Sequence, residues 1–180
     1  MRGSGPRMTI KWTRSMADPT LAIRPARADD ADAVWAILEP VIRAGESYPL
    51  PRDMTRAEAL AYWHQPEHEV FVADDGGAAV GTYYLRANSR AGGGHVANCG
   101  YMTAAHAAGR GIGRAMCLHS LARARERGFR AMQFNLVIAT NAPAVHLWQA
   151  CGFAVVGRLP GAFLHPVHGY VDALVMYRAV

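Results

Sequence analysis

The sequence predicts one α/β domain, more closely α+β, in which a mixed sheet carries helices on its faces. Segments rich in β-formers interleave with segments of helical period, in the order β-α-α-β-β-β-α-β-α-β-β. The chain has 180 residues, 51% of them apolar, enough to bury one sizeable core. After residue 20 no internal repeat or low-complexity linker divides it.

The elements follow in order. "TLAIRPA" is a short strand ending at Pro25. "ADDADAVWAILEPVIRA" begins with acids and then spaces Val34, Ile37, Leu38 and Val41 as one helix face, with Pro40 a candidate kink. "GESYPLP" is a loop. "TRAEALAYWH" opens with Thr55 and has Glu58 three residues later, the capping-box pattern of a second helix. "EVFVAD" and "AAVGTYYLRA" are strands about a "DGG" turn, and "HVANCGYMT" returns after "SRAGGG". "GIGRAMCLHSLARARERG" is a helix stopped by Gly128. "RAMQFNLVIA" is a strand, and "TNAPAVHLWQACG" a helix with Asn141 as N-cap and Pro143 in its first turn. "FAVVGRLP" and "VDALVMYRAV" are the last two strands.

Residues 1–20 read as a poorly ordered tail and 21–180 as the domain. The tail carries part of the +5 formal charge, because Arg2, Arg7, Lys11 and Arg14 oppose only Asp18. No dense basic block follows, so a nucleic-acid partner is not expected. The N-terminus lacks the apolar stretch of a signal peptide, and no apolar run is long enough to span a membrane. Cys99, Cys117 and Cys151 are odd in number and widely spaced, which suits reduced thiols and a cytoplasmic location.

The segment most informative about chemistry is "AAGRGIGRAM", Ala107 to Met116, between a strand and a helix. Gly109, Gly111 and Gly113 let backbone N–H groups approach an anion. The first N–H groups of the helix lack internal partners, and Arg110 and Arg114 add charge. The combination suits a pyrophosphate; the plain alternative is a tight turn with solvated arginines. A Rossmann fingerprint needs Gly-x-Gly-x-x-Gly and a later acid, and a P-loop needs Gly-Lys-Ser/Thr; neither is present.

"GYMTAAHAAGRGIGRAM" resembles motif A of the GCN5-related N-acetyltransferase (GNAT) superfamily, and "TNAPAVHLWQACGFAVVG" resembles its motif B. The element order is similar from about residue 21 to 180. The resemblance implies the GNAT fold: a mixed sheet of about seven strands flanked by about four helices, with splayed fourth and fifth strands. It implies acetyl-CoA as co-substrate and no metal. Ala108, Gly109, Arg110, Gly111, Ile112, Gly113 and Arg114 would hold its pyrophosphate, and the backbone of Met102 and Thr103 its pantetheine arm. Asn141 and Trp148 would lie beside the thiol end; their plain alternatives are a helix cap and a core aromatic. Two positions depart from the pattern. Ala108 stands where the motif has Gln or Arg, so the backbone must do most of the holding. Trp148 stands where a tyrosine is the proposed acid to the leaving thiolate, and an indole has no O–H to supply.

"NCGY", "FNLVIATN", "HLWQACGF", "GRLPGAF" and "VDALVMY" resemble more narrowly the yeast acetyltransferases that act on the proline analogue azetidine-2-carboxylate. That group also has Trp in the Tyr position, and its two substrate-holding asparagines match Asn98 and Asn135. The resemblance implies N-acetylation of a small amine or imino acid, catalytic and substrate-binding roles for Asn98 and Asn135, and a homodimer. A carboxamide can grip an amine and a carboxylate without adding charge; the plain alternative is that each asparagine satisfies backbone groups at a strand break. Glu46 and Tyr48, in the loop before the second helix, are further acceptor candidates, and Tyr101 and Tyr170 are alternative proton donors. "HPVH", His165 to His168, reads as a surface loop rather than a metal site. Two rival functions remain: acetylation of another small amine or a peptide N-terminus, and a catalytically silent acyl-CoA-binding sensor.

Overall fold

The computed structural model describes residues 21–180; the tail assigned to residues 1–20 lies outside them. The elements are β1 (Leu21–Pro25), α1 (Ala31–Ala44), α2 (Arg56–Trp63), β2 (Glu69–Asp75), β3 (Ala78–Ala87), β4 (Val96–Thr103), α3 (Ile112–Glu126), β5 (Ala131–Ile138), α4 (Ala142–Ala150), β6 (Ala154–His165) and β7 (Gly169–Ala179). One seven-stranded sheet has the order β1-β2-β3-β4-β5-β7-β6. Every neighbouring pair is antiparallel except β4 and β5, which are parallel. The predicted class and element order are those of the structure.

Helices cover both faces, as the alternation along β3 makes plain. Odd positions face α3: a side chain at Gly81 would meet Met116 and Ile112, and the Tyr83 hydroxyl lies 2.6 Å from Nδ1 of His119. Even positions face α2. Trp63 Nε1 donates to Thr82 Oγ1 at 3.0 Å, and Thr82 Oγ1 donates on to the Phe71 carbonyl at 2.9 Å. Both side chains are fully buried, so this short chain lets an indole N–H and a hydroxyl enter the core without an orphaned group.

Local signals act as expected. Thr55 accepts from the Glu58 N–H, and Glu58 accepts from the Thr55 N–H, which fixes the start of α2. Pro40 sits inside α1 without ending it. Val34, Ile37 and Leu38 are buried, and Ile42 completes the face. Val41, expected on that face, is only half-buried and lines the cleft described below.

β6 is longer than the sequence suggested, running through His165. Pro160 and Gly161 resemble a turn, but a bulge between Leu159 and Phe163 lets the strand skip them and resume pairing with β7. "HPVH" forms the β6–β7 turn. His165 is buried, and its Nδ1 accepts from the Val167 and His168 N–H groups at 3.2 and 3.3 Å.

Candidate active site at a strand fork

β4 and β5 pair only where they begin, through Val96 with Ala131 and Ala97 with Met132. Beyond that point they diverge, giving the splay that the resemblance implied. Asn98 sits at the parting and donates from Nδ2 to the Gln133 carbonyl at 2.8 Å. On β5, a bulge between Phe134 and Val137 places Asn135 and Leu136 opposite a single residue of β7. Between the strands lies a cleft of about 390 Å³. Its walls come from both faces of the sheet: Trp148 of α4 on one side, Tyr62 of α2 and Tyr84 on the other.

Backbone parity decides which groups face the fork. The Ala104 N–H donates to Val80 O at 2.9 Å and the Asn88 N–H to Val96 O at 2.8 Å, so even-numbered residues of β4 face β3. Odd-numbered residues therefore face the fork. The Tyr101 carbonyl already accepts there from the Tyr48 hydroxyl at 2.8 Å. This corrects one expectation. Thr103 presents its backbone to the fork, but the N–H and C=O of Met102 point to β3, and Tyr101 takes its place. Sequence reading named Tyr101 for its hydroxyl and not for its backbone, because pairing parity requires the partner strand to be known.

The glycine loop follows β4. Ala108 ends a 3₁₀ turn over Ala105–Ala107. Gly109 and Gly111 have φ of 76° and 79°, with open space where a side chain would stand; here glycine is required for backbone conformation. Gly113 has a different reason, since a Cβ there would lie 3.0 Å from Leu147 Cδ2 of α4. The ladder of α3 begins when the Ala115 N–H donates to Gly111 O at 3.0 Å. The N–H groups of Gly111, Ile112, Gly113 and Arg114 precede it, which makes the loop fit for an anion. Arg114 is exposed on this first turn, and Arg110 is held by Asp75 at 2.7 Å.

The remaining candidates separate. Asn141 caps α4, accepting from the Ala144 N–H at 3.2 Å, and also lines the cleft. Trp148 packs against Tyr101 and Phe134, each ring centroid 5.0 Å away, and lines it too. Asn98, Asn135 and Tyr48 also line the cleft. Asn135 is exposed; its Oδ1 accepts from Gln133 Nε2 and its Nδ2 donates to Asn88 Oδ1 at 2.7 Å. Glu46 is exposed and outside the lining, as is Tyr170. Burial raises Tyr48, Tyr84 and Tyr101 above ordinary phenols and pushes the Cys99 thiol up to about 12, so all four are neutral donors near pH 7. Among the described residues the lining holds no Asp, Glu, His or Lys, and the one permanent charge they bring to it is Arg86, which sequence reading overlooked.

The acetyltransferase (GNAT) family model matches residues 33–153. An N-acetyltransferase of Schizosaccharomyces pombe, aca1, is 30% identical over 151 residues, covering 74% of this chain and 72% of that protein. Among solved structures, a GCN5-related N-acetyltransferase from Kribbella flavida is 40% identical and superposes with a TM-score of 0.85, covering 89% of this chain and 98% of its own. The yncA protein of Salmonella typhimurium, a putative acetyltransferase solved with acetyl-CoA, shares the fold at 19% identity and a TM-score of 0.79, covering 89% and 94%. The chain belongs to the acetyltransferase (GNAT) family: it is an acyltransferase that moves an acetyl group from acetyl-CoA to an amino group.

Proposed function

We propose that residues 21–180 form an N-acetyltransferase domain acting on a small amine or imino acid, with azetidine-2-carboxylate and related proline analogues as the acceptors. The observation that carries this reading is the fork itself. Its walls come from both faces of the sheet, and three carboxamides line it: Asn98, Asn135 and the α4 cap Asn141.

The geometry supports the following roles. The loop from Ala108 to Arg114 would hold the pyrophosphate through N–H groups, with Arg114 adding charge. The fork-facing backbone of Tyr101 and Thr103 would pair with the pantetheine amides. An N–H on this edge, aimed at the thioester oxygen, would stabilise the charge developing there by about 3 kcal/mol. Trp148 and Asn141 would flank the thiol end. Asn98 and Asn135 would orient the acceptor, while the Tyr48 hydroxyl braces the edge at Tyr101. With no carboxylate or imidazole in the lining among the described residues, the acceptor would arrive as the free amine and lose its proton to water.

The test is thiol release from acetyl-CoA with proline analogues, amino acids, polyamines and peptide N-termini as acceptors. Turnover is expected with azetidine-2-carboxylate. Tight acetyl-CoA binding without release for any acceptor would establish the silent sensor instead.

A cytoplasmic homodimer completes the proposal. Val155, Val156, Leu159 and Leu164 of the edge strand β6 are exposed, and a second copy of this strand is the partner that such a self-complementary edge suits. Light scattering in solution reads the mass directly. No helix among the described residues is long and apolar enough to cross a membrane.

A further inference from the structure

Arg86 lies near the end of β3, in register with Asn98 on β4. Directly opposed residues of an antiparallel pair project from the same face, so guanidinium and carboxamide stand side by side. Two residues on, Asn88 projects the same way and meets Asn135. Arg86 thus belongs to one polar cluster with both candidate asparagines. It lines the cleft, yet among the described residues no hydrogen bond or ion pair engages its guanidinium, and its Nε is buried without a partner. Every other partly buried arginine among the described residues is tied down: Arg24 by Asp30 and Asp74, Arg43 by Glu39 and the Arg52 carbonyl, Arg123 by Glu69 and Glu126, and Arg178 by the Cys151 carbonyl. A buried guanidinium nitrogen without an acceptor is costly, and a planar fork of donors fits a carboxylate best.

We infer that Arg86 is the specificity-determining anchor for the acceptor and takes its carboxylate, so that the enzyme selects amines carrying an acid group. The inference rests on the acetyl transfer proposed above and narrows its substrate class. Charge within the cleft argues the same way. A polyamine or aminoglycoside would bring added positive charge to a lining that, among the described residues, has one cation and no carboxylate. An amino or imino acid brings one negative charge to Arg86 and leaves its nitrogen between Asn98 and Asn135. Tyr84, wedged between Trp63 at 4.9 Å and a stacked His68 at 4.2 Å, forms a rigid wall beside it.

The full chain, loaded with coenzyme A, is titrated with azetidine-2-carboxylate and L-proline, and separately with their carboxamides and with spermidine. The acids are expected to bind roughly ten- to a hundredfold more tightly than the amides, the range of a charge-assisted hydrogen-bond pair. R86Q should collapse that ratio to within about threefold, R86K should restore part of it, and acetyl-CoA affinity should not move. Amides or spermidine binding as tightly as the acids, no acid binding at all, or R86Q weakening acids and amides equally would each overturn the inference. Acetyl transfer is followed in parallel. Selective acid binding without transfer would sink the reaction and leave the anchor standing. Transfer to acids and amides at equal efficiency would sink the anchor and leave the reaction standing.

Discussion

Asn98 donates to the Gln133 carbonyl across the point where β4 and β5 part, at 2.8 Å. The Val180 N–H donates to Arg130 O, so ahead of the β5 bulge even-numbered residues face β7 and Gln133 faces β4. In a continued parallel ladder that carbonyl would accept from the Cys99 N–H. The Asn98 side chain substitutes for it, and the strands diverge without orphaning a buried acceptor. Asn98→Ala should therefore lower unfolding stability by about 1–2 kcal/mol and reduce kcat/KM as well. Urea unfolding and steady-state acetyl transfer check this; an unchanged urea midpoint would show that the bond does not close the fork.

Asn135 behaves differently. It is exposed, and its partners are the side chains of Gln133 and Asn88 rather than backbone. Asn135→Ala should leave stability within about 0.5 kcal/mol of the parent. Turnover should fall by roughly tenfold or more, because a positioned polar group is lost. Unaltered steady-state kinetics in this variant would remove Asn135 from the site.

The loop glycines separate conformation from crowding. Gly111→Ala meets no neighbour but must hold φ near 79°, at a cost of about 1–2 kcal/mol. A loop that relaxes to avoid this strain turns its N–H groups away, so acetyl-CoA affinity should drop several-fold. Isothermal titration reads the affinity, and thermal melting reads the strain.

Acid stability should carry a signature of Asp30. A two-pronged contact from Arg24, at 2.7 and 2.8 Å, lowers its pKa from 3.8 to about 2, opposed by burial and helped by the Arg27 N–H. A carboxylate depressed on folding stabilises the native state above its unfolded pKa, and that contribution is lost as pH falls through the folded value. Roughly 1–2 kcal/mol should disappear between about pH 4 and pH 2. Asp30→Asn should be less stable at pH 6 and flatter across that window in chemical denaturation; an identical pH profile would refute the coupling.

The fold was largely legible because its signals are local. The capping box at Thr55, the N-cap at Asn141 and the alternation in β2 and β3 need no distant partner. The errors arise where tertiary pairing overrides such signals. Pro160 and Gly161 look like a turn, but β7 carries the strand past them. Val41 has helical spacing for the core, yet it stands over the cleft. In the site, the glycine loop and both asparagines could be found by resemblance. The fork-facing backbone of Tyr101 and the place of Arg86 could not, since the first depends on which strand takes up alternate backbone groups and the second on its register with Asn98.

Gly113 and Leu147 give the two sequence motifs a shared fate. They lie far apart in the chain, but the backbone of one and the methyl of the other occupy adjoining space at the contact between α3 and α4. A bulkier residue at position 113 therefore crowds the one at 147, and changes at the two positions should compensate. For anyone exchanging parts between relatives, the glycine loop and the helix bearing Trp148 are best treated as one transplantable cassette, because moving them together keeps this fit.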